Sequence, residues 1–226
     1  MLPIKDINRP SRPAIVTKML IAINIVVFVY TYLKPLRVFQ QIVYEYGVKP
    51  ALILQGKELY TLFTGMFLHG DITHIFGNML YLWIFGDNVE DRLGHTTFLV
   101  FYISSGVIAS LVQVFFTPSS MVPMIGASGA VSAVLGAYLI MFPWARVLTL
   151  IFGWFIWMVE IPAYYYLGFW FLLQFLYGLI SLRGVALYIA YWAHISGFIL
   201  GIIVAIYARY KYRRRLYREP YEVIWI

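Results

Sequence analysis

Long apolar runs separated by short polar clusters divide the chain, and each run has about the length of a membrane-spanning helix. The pattern predicts spans over residues 14–33, 72–86, 96–116, 128–142, 162–180 and 187–208. An even number of crossings returns both termini to one side. Lys5, Arg9 and Arg12 at one end and Lys211, Arg213, Arg214, Arg215 and Arg218 at the other assign that side to the cytoplasm by the positive-inside rule. The apolar stretch 146–177 is too long for one upright span and is interrupted at Glu160, Ile161 and Pro162. It predicts an interfacial or re-entrant hairpin followed by the fifth helix. Residues 34–71 mix Tyr, Phe and Ile with Lys, Glu and Gln, the pattern of short amphipathic pieces lying along the outer interface.

Composition supports this division. Hydrophobic residues make up 62% of the chain and charged ones 12%, which implies an all-α polytopic membrane protein. The length allows a single membrane-embedded domain over residues 1–226 with short basic cytoplasmic tails. The net charge of +7 is topology information, since much of it sits in tails flanking apolar segments, and no nucleic-acid partner is expected. Without cysteine the chain has no thiol nucleophile, disulfide or thiolate metal site. Its basic start mimics a signal peptide but lacks a small-residue cleavage site, so the first run reads as a retained span. With no evident transit peptide, the expected location is a prokaryotic plasma membrane.

Candidate chemistry lies in Gly126-Ala127-Ser128-Gly129 and Ala193-His194-Ile195-Ser196-Gly197. Polar groups deep in lipid are costly, and a serine with a histidine is the minimum equipment for nucleophilic attack on a carbonyl. Depth permits them to meet. The second, fourth and sixth spans run in the same direction; Ser128 precedes Pro143 by fifteen residues and His194 precedes Arg209 by fifteen. Each interval is roughly 22 Å of helix. His74 precedes Glu90 by sixteen residues on the second span, which brings His74 and Asn78 into the same layer.

Small residues favour adjacency as well. Gly129, Ala133 and Ala137 recur on the fourth span beside Ser132 and Gly136, while Ala190, His194, Gly197, Gly201 and Ala205 share a face of the sixth. Either stripe alone fits ordinary helix packing. Flanking glycines permit a tight turn at Ser128, and a helix N-terminus offers unpaired N–H groups to a developing oxyanion; a plain helix cap is the competing role. His74 and Asn78, four apart on one face, are candidate oxyanion donors or interhelical hydrogen-bonding groups. His69 is expected only to satisfy loop backbone, and His95 to be solvated surface. Asp87, Glu90, Asp91 and Arg92 predict a structural ion pair in a charged cytoplasmic turn.

The stretches HGDITHIFGN (residues 69–78), VEDRLG (89–94), GASGAVSAVLGAY (126–138) and AHISGFILG (193–201) together resemble the rhomboid family of intramembrane serine proteases. The resemblance implies a six-helix bundle, with Ser128 as nucleophile and His194 as general base, and no carboxylate third member. It also implies an oxyanion hole made by the Ser128 backbone N–H, Asn78 and His74. Two positions depart from the family pattern. Tyr60 and Thr61 stand where many members carry a Trp-Arg pair, and Ser132 stands where an aromatic ring often packs on the catalytic histidine, which leaves the orientation of His194 without an assigned partner.

The expected activity is hydrolysis of peptide bonds in or near transmembrane segments of membrane-protein substrates, within the lipid bilayer and without a cofactor or metal. The fifth helix, rich in Phe and Trp, is the expected lateral gate, and the loop Thr117, Pro118, Ser119, Ser120 the rim of a water-filled cavity. A zinc protease would need a His-Glu-x-x-His set and an aspartyl protease two Asp residues within spans; neither pattern is present. A catalytically inactive, client-binding relative is the alternative reading, and a small transporter without evident inverted repeats is a more distant one.

Overall fold

The computed structural model describes residues 1–8, 10–153, 155–183 and 189–216, with the backbone alone over 211–216. Arg9 and Arg218, and the expected start of the last span at 187, lie outside the described residues. Helices occupy the six apolar segments: α1 (Ile15–Tyr32), α5 (Ile72–Leu93), α6 (His95–Phe116), α7 (Ser128–Met141), α8 (Ala163–Ser181) and α9 (Tyr191–Leu216). Four of them, α1, α6, α8 and the Tyr191–Tyr210 part of α9, are long and apolar enough to cross a membrane. The other two fail for opposite reasons. α5 is long but too polar, with His74, Asn78, Asp87 and Asn88 along it, and α7 is apolar but only 14 residues long.

Residues 34–71 form three short helices, α2 (Leu36–Tyr46), α3 (Pro50–Ile53) and α4 (Thr61–Thr64), followed by a 3-10 turn at Gly65–Phe67. None of the residues of α2 is buried, in keeping with an amphipathic piece lying outside the bundle. A fully buried Lys49 anchors the segment. Its ammonium pairs with Glu58 at 2.6 Å, donates to the Tyr44 carbonyl and lies over the Tyr44 ring. The Tyr60 hydroxyl donates to the Glu45 carbonyl at 3.1 Å and the Thr64 hydroxyl to that of Tyr46 at 2.8 Å. These contacts hold the loop that carries Tyr60 and Thr61.

The all-α expectation is corrected by a three-stranded antiparallel sheet in the order β1 (Leu2–Asp6), β2 (Arg146–Phe152), β3 (Ile156–Pro162). The interruption after α7 is a hairpin, as expected, but an extended one. Val147, Thr149 and Ile151 on β2 and Ile156, Val159 and Ile161 on β3 are β-branched, which favours a pleated conformation. The N-terminal segment supplies the third strand, a partner about 140 residues away that no local pattern marks.

Buried polar groups join this sheet to the bundle. Asp6 accepts from the Tyr138 hydroxyl at 2.6 Å and the Asn88 amide at 2.8 Å. Burial, reinforced by nearby Asp87 and partly opposed by the Tyr138 bond, raises its carboxyl from 3.8 to about 6. A raised folded-state value means that the folded protein holds the proton more tightly than the unfolded chain does. The burden of the buried charge is therefore absent below about pH 4 and complete above about pH 6. In SDS unfolding titrations, Asp6→Asn should stabilise the protein relative to wild type at pH 7.5 more than at pH 4.5. A pH-independent difference would contradict this.

Glu90 replaces a missing cap. Ala14 at the start of α1 offers no side-chain acceptor, and the buried Glu90 carboxylate accepts from the Val16 and Thr17 N–H groups at 2.8 Å each and the Thr17 hydroxyl at 2.7 Å. His95 keeps 43% of its side chain exposed, as expected of a surface group, and places Nδ1 2.5 Å from Glu90; the ion pair expected of Arg92 with Asp87, Glu90 or Asp91 is not formed among the described residues. Asp91 binds the Ser11 hydroxyl and N–H.

α7 forms the centre of the bundle, with every residue from Gly129 to Tyr138 buried. Its contact with α9 is backbone against backbone. A Cβ on Gly197 would lie 2.2 Å from the Gly129 carbonyl oxygen, and one on Gly201 would lie 1.9 Å from that of Ala133. The two small-residue stripes face each other at this contact.

Candidate active site

Ser128 is the first residue of α7, and the chain reaches it through a turn fixed from outside the helix. Gly126 has φ +122°, a conformation that favours glycine, and a side chain there would also lie 2.6 Å from the His74 ring nitrogen Nε2. The Gly126 N–H donates to the Gly65 carbonyl at 2.9 Å, and Val48 and Met124 exchange backbone hydrogen bonds at 2.8 and 2.9 Å. The long segment before α5 thus buttresses the turn that presents Ser128.

His194 lies in the first turn of α9, where its Nε2 is 2.8 Å from the Ser128 hydroxyl oxygen. Its other ring nitrogen, Nδ1, is 2.8 Å from the Gln174 amide oxygen on α8. Because an amide oxygen only accepts, Nδ1 carries the ring proton. Nε2 is left with a free lone pair facing the serine O–H. The rings of Trp170 and Tyr191 flank the imidazole at 6.1 and 6.2 Å between centroids. Ser132, at the position of the missing aromatic, instead donates its hydroxyl to the Ser128 carbonyl at 2.6 Å.

Another glutamine sets the height of α9. The Oε1 of buried Gln113 on α6 accepts from the Trp192 and Ala193 N–H groups at 3.0 and 3.2 Å. It thereby caps the turn that carries His194. Sequence reasoning missed both glutamines; their signal is an amide standing among apolar residues of a helix, where an interhelical partner is the usual reason for its presence.

His74 and Asn78 line the same cavity as Ser128. Asp71 caps α5 by accepting from the His74 N–H at 2.8 Å and the Thr73 hydroxyl at 2.5 Å, which holds its carboxyl below the usual range. The Gly70 N–H donates to His74 Nδ1 at 3.4 Å, so the proton of this imidazole resides on Nε2, the nitrogen beside Gly126. Asn78 donates one amide hydrogen to the His74 carbonyl at 3.2 Å and retains another. His69 departs from expectation: its ring is buried edge-on against His74, and neither ring nitrogen has a hydrogen-bond partner among the described residues. Burial pushes it down to about 4, so it is neutral at physiological pH.

The cavity has a volume of about 240 Å³ and lies between α5, α7 and α8. Thr73, Gly77 and Tyr81 line one wall, Val131, Ser132 and Leu135 the next, and Trp170 closes the third. The Tyr81 and Tyr166 hydroxyls, 2.7 Å apart, connect α5 to α8. A hydroxyl facing an imidazole lone pair, with two side-chain donors lining the cavity beside the hydroxyl, is an arrangement suited to acyl transfer.

A family model for the rhomboid domain matches residues 56–211, a segment that contains every residue of this arrangement. The chain belongs to the rhomboid family. It is therefore an integral membrane protein of mostly helical build, related to intramembrane proteases. It is 35% identical over 123 residues to the rhomboid protease GluP of Bacillus subtilis, covering 54% of this chain and 24% of that protein. It is 34% identical over 90 residues to the mitochondrial rhomboid protein 1 of Saccharomyces cerevisiae, covering 38% and 26%. A third relative, RHOMBOID-like protein 1 of Arabidopsis thaliana, is 28% identical over 166 residues, covering 72% and 39%. The chain spans about a quarter to two-fifths of the length of these curated relatives.

Proposed function

We propose that the protein is an intramembrane serine endopeptidase that cleaves transmembrane protein substrates through Ser128 and His194. The observation that carries this reading is the 2.8 Å bond between Ser128 Oγ and an imidazole nitrogen whose lone pair is free. His194 takes the hydroxyl proton as Ser128 Oγ attacks the scissile carbonyl. The tetrahedral oxyanion is held by the Ser128 N–H, the Asn78 amide and His74 Nε2–H. The imidazolium then returns the proton to the leaving amine, the C–N bond breaks, and an acyl-enzyme remains for water to hydrolyse. No charged third residue is required, because oxyanion donors lower the barrier independently by about 3 kcal/mol each.

In this reading the protein is one membrane-embedded domain whose six helices all cross the bilayer, with both termini cytoplasmic, in a prokaryotic plasma membrane. The shortness of α7 then acquires a purpose. Its 14 residues rise roughly 21 Å against a hydrocarbon core of about 30 Å, so Ser128 begins well below the outer surface and the cavity above it admits water. Substrate enters between α5 and α8, where Trp170 and the Tyr81–Tyr166 bond stand in its path.

The test is cleavage of a single-span substrate in liposomes by wild type, Ser128→Ala and His194→Ala, each checked for folding. Loss of cleavage with retained substrate binding in both variants supports the protease. Undiminished cleavage in Ser128→Ala removes the assignment, and client binding without turnover by the wild type favours the inactive relative. Asn78→Ala should lower kcat on the order of 10²–10³-fold with little change in KM, as expected for a donor engaged only in the transition state. A change confined to KM would place Asn78 in substrate binding instead.

A further inference from the structure

Gln174 stands among Phe171, Leu172, Leu173, Phe175 and Leu176 on α8, a helix whose surface is otherwise built for lipid and aromatic packing. A primary amide there is costly unless it is paired. Its oxygen lies 2.8 Å from His194 Nδ1, the nitrogen opposite the one that faces Ser128. The bond crosses between helices, so α8 fixes a ring carried by α9. It also selects the tautomer: with the proton on Nδ1, Nε2 accepts from the serine, whereas the opposite tautomer presents an N–H to Ser128 and cannot act as a base.

We infer that Gln174 is a positioning residue for catalysis, which orients His194 from the side opposite Ser128 and keeps its proton on Nδ1. The inference rests on the proposed protease activity and deepens it. Ser132 leaves the face of His194 without the expected ring, and Trp170, one turn before Gln174, packs beside the imidazole from the same helix. α8 therefore supplies both the hydrogen bond and an aromatic flank. A neutral acceptor suits this place. A carboxylate performs the same service in Ser-His-Asp hydrolases, and an amide oxygen accepts the same N–H without placing an anion among apolar helices.

The experiment compares wild type with Gln174→Leu, which keeps the size and removes the acceptor, and Gln174→Glu, which restores an acceptor oxygen. Two readouts are taken: the rate at which a fluorophosphonate probe labels Ser128, and kcat and KM for a single-span substrate. Thermal unfolding in detergent is followed for each variant. Leucine should slow labelling and kcat about ten- to a hundredfold with KM close to wild type and a lowered unfolding temperature, from the His194 Nδ1–H left unpaired, and glutamate should recover most of the rate. Wild-type labelling by Gln174→Leu overturns the inference. So does equal slowing in the leucine and glutamate variants, because an acceptor would then not be what matters. If wild type labels no faster than Ser128→Ala, the protease reading itself fails and this inference with it, a result distinct from either of the others.

Discussion

Removing either member of the Ser128–His194 pair should abolish peptide cleavage to nearly the same extent as removing both. The reason is functional dependence. The serine hydroxyl is a weak nucleophile until a base takes its proton, and the imidazole has nothing to activate once the hydroxyl is gone. Each single substitution to alanine should lower kcat on the order of 10⁴-fold or more, and the double variant should fall no further. Independent contributions would instead multiply. Single-turnover cleavage of a reconstituted single-span substrate, measured for the two single variants and the double, checks this. A double variant a further thousandfold slower than either single variant would mean that Ser128 and His194 act separately, despite the 2.8 Å bond between them. Under the proposed mechanism, any residual rate would come from Asn78, His74 and the helix N-terminus, which the substitutions leave in place.

The second large effect is structural in origin and catalytic in outcome. Gly201→Ala would place a methyl group 1.9 Å from the Ala133 carbonyl oxygen and 2.8 Å from the Ala137 nitrogen. These are backbone atoms, which cannot rotate away, so α9 must move off α7. Overpacking of this kind costs about 1–3 kcal/mol. The displacement also passes to His194, two turns earlier on the same helix, and a misplacement of about 1 Å at a reacting group can cost on the order of 100-fold in rate. Gly201→Ala should therefore lower both the unfolding midpoint and kcat. Gly168→Ala is the control: a methyl group at Gly168 on α8 meets nothing within 4 Å, and that variant should match wild type in both measurements. Equal behaviour of the two variants would show that close approach of α7 and α9 is dispensable.

The pH dependence at Asp6 and the effects at Asn78 and Gln174 probe separate parts of the molecule. Asp6 tests how the sheet is joined to the far end of the bundle, and Asn78 tests the oxyanion donors. Gln174 tests how the base is held. Gln174 and Gly201 both bear on the placement of His194, so their effects should couple rather than add.

The sequence by itself determined the helices. Hydropathy is a local property, and the observed bounds 15–32 and 163–181 lie within one residue of those read from the apolar runs. It also named Ser128, His194, His74 and Asn78, because a polar side chain in an apolar helix is conspicuous whatever surrounds it. α5 ran further than expected, to Leu93, because its polar end is stabilised by the N-terminus of α1, which Glu90 caps. Tertiary structure alone decided which groups meet. β1 had no visible role until it found β2, and Lys49 none until it found Glu58. Gln113 and Gln174 were present among their apolar neighbours, but no spacing along the chain connects them to α9. A hydrogen bond between helices depends on rotation and depth at once, to within a few tenths of an ångström, and those are set by packing across the whole bundle. The sequence therefore supplied the candidate groups, and the assembled bundle supplied their orientation.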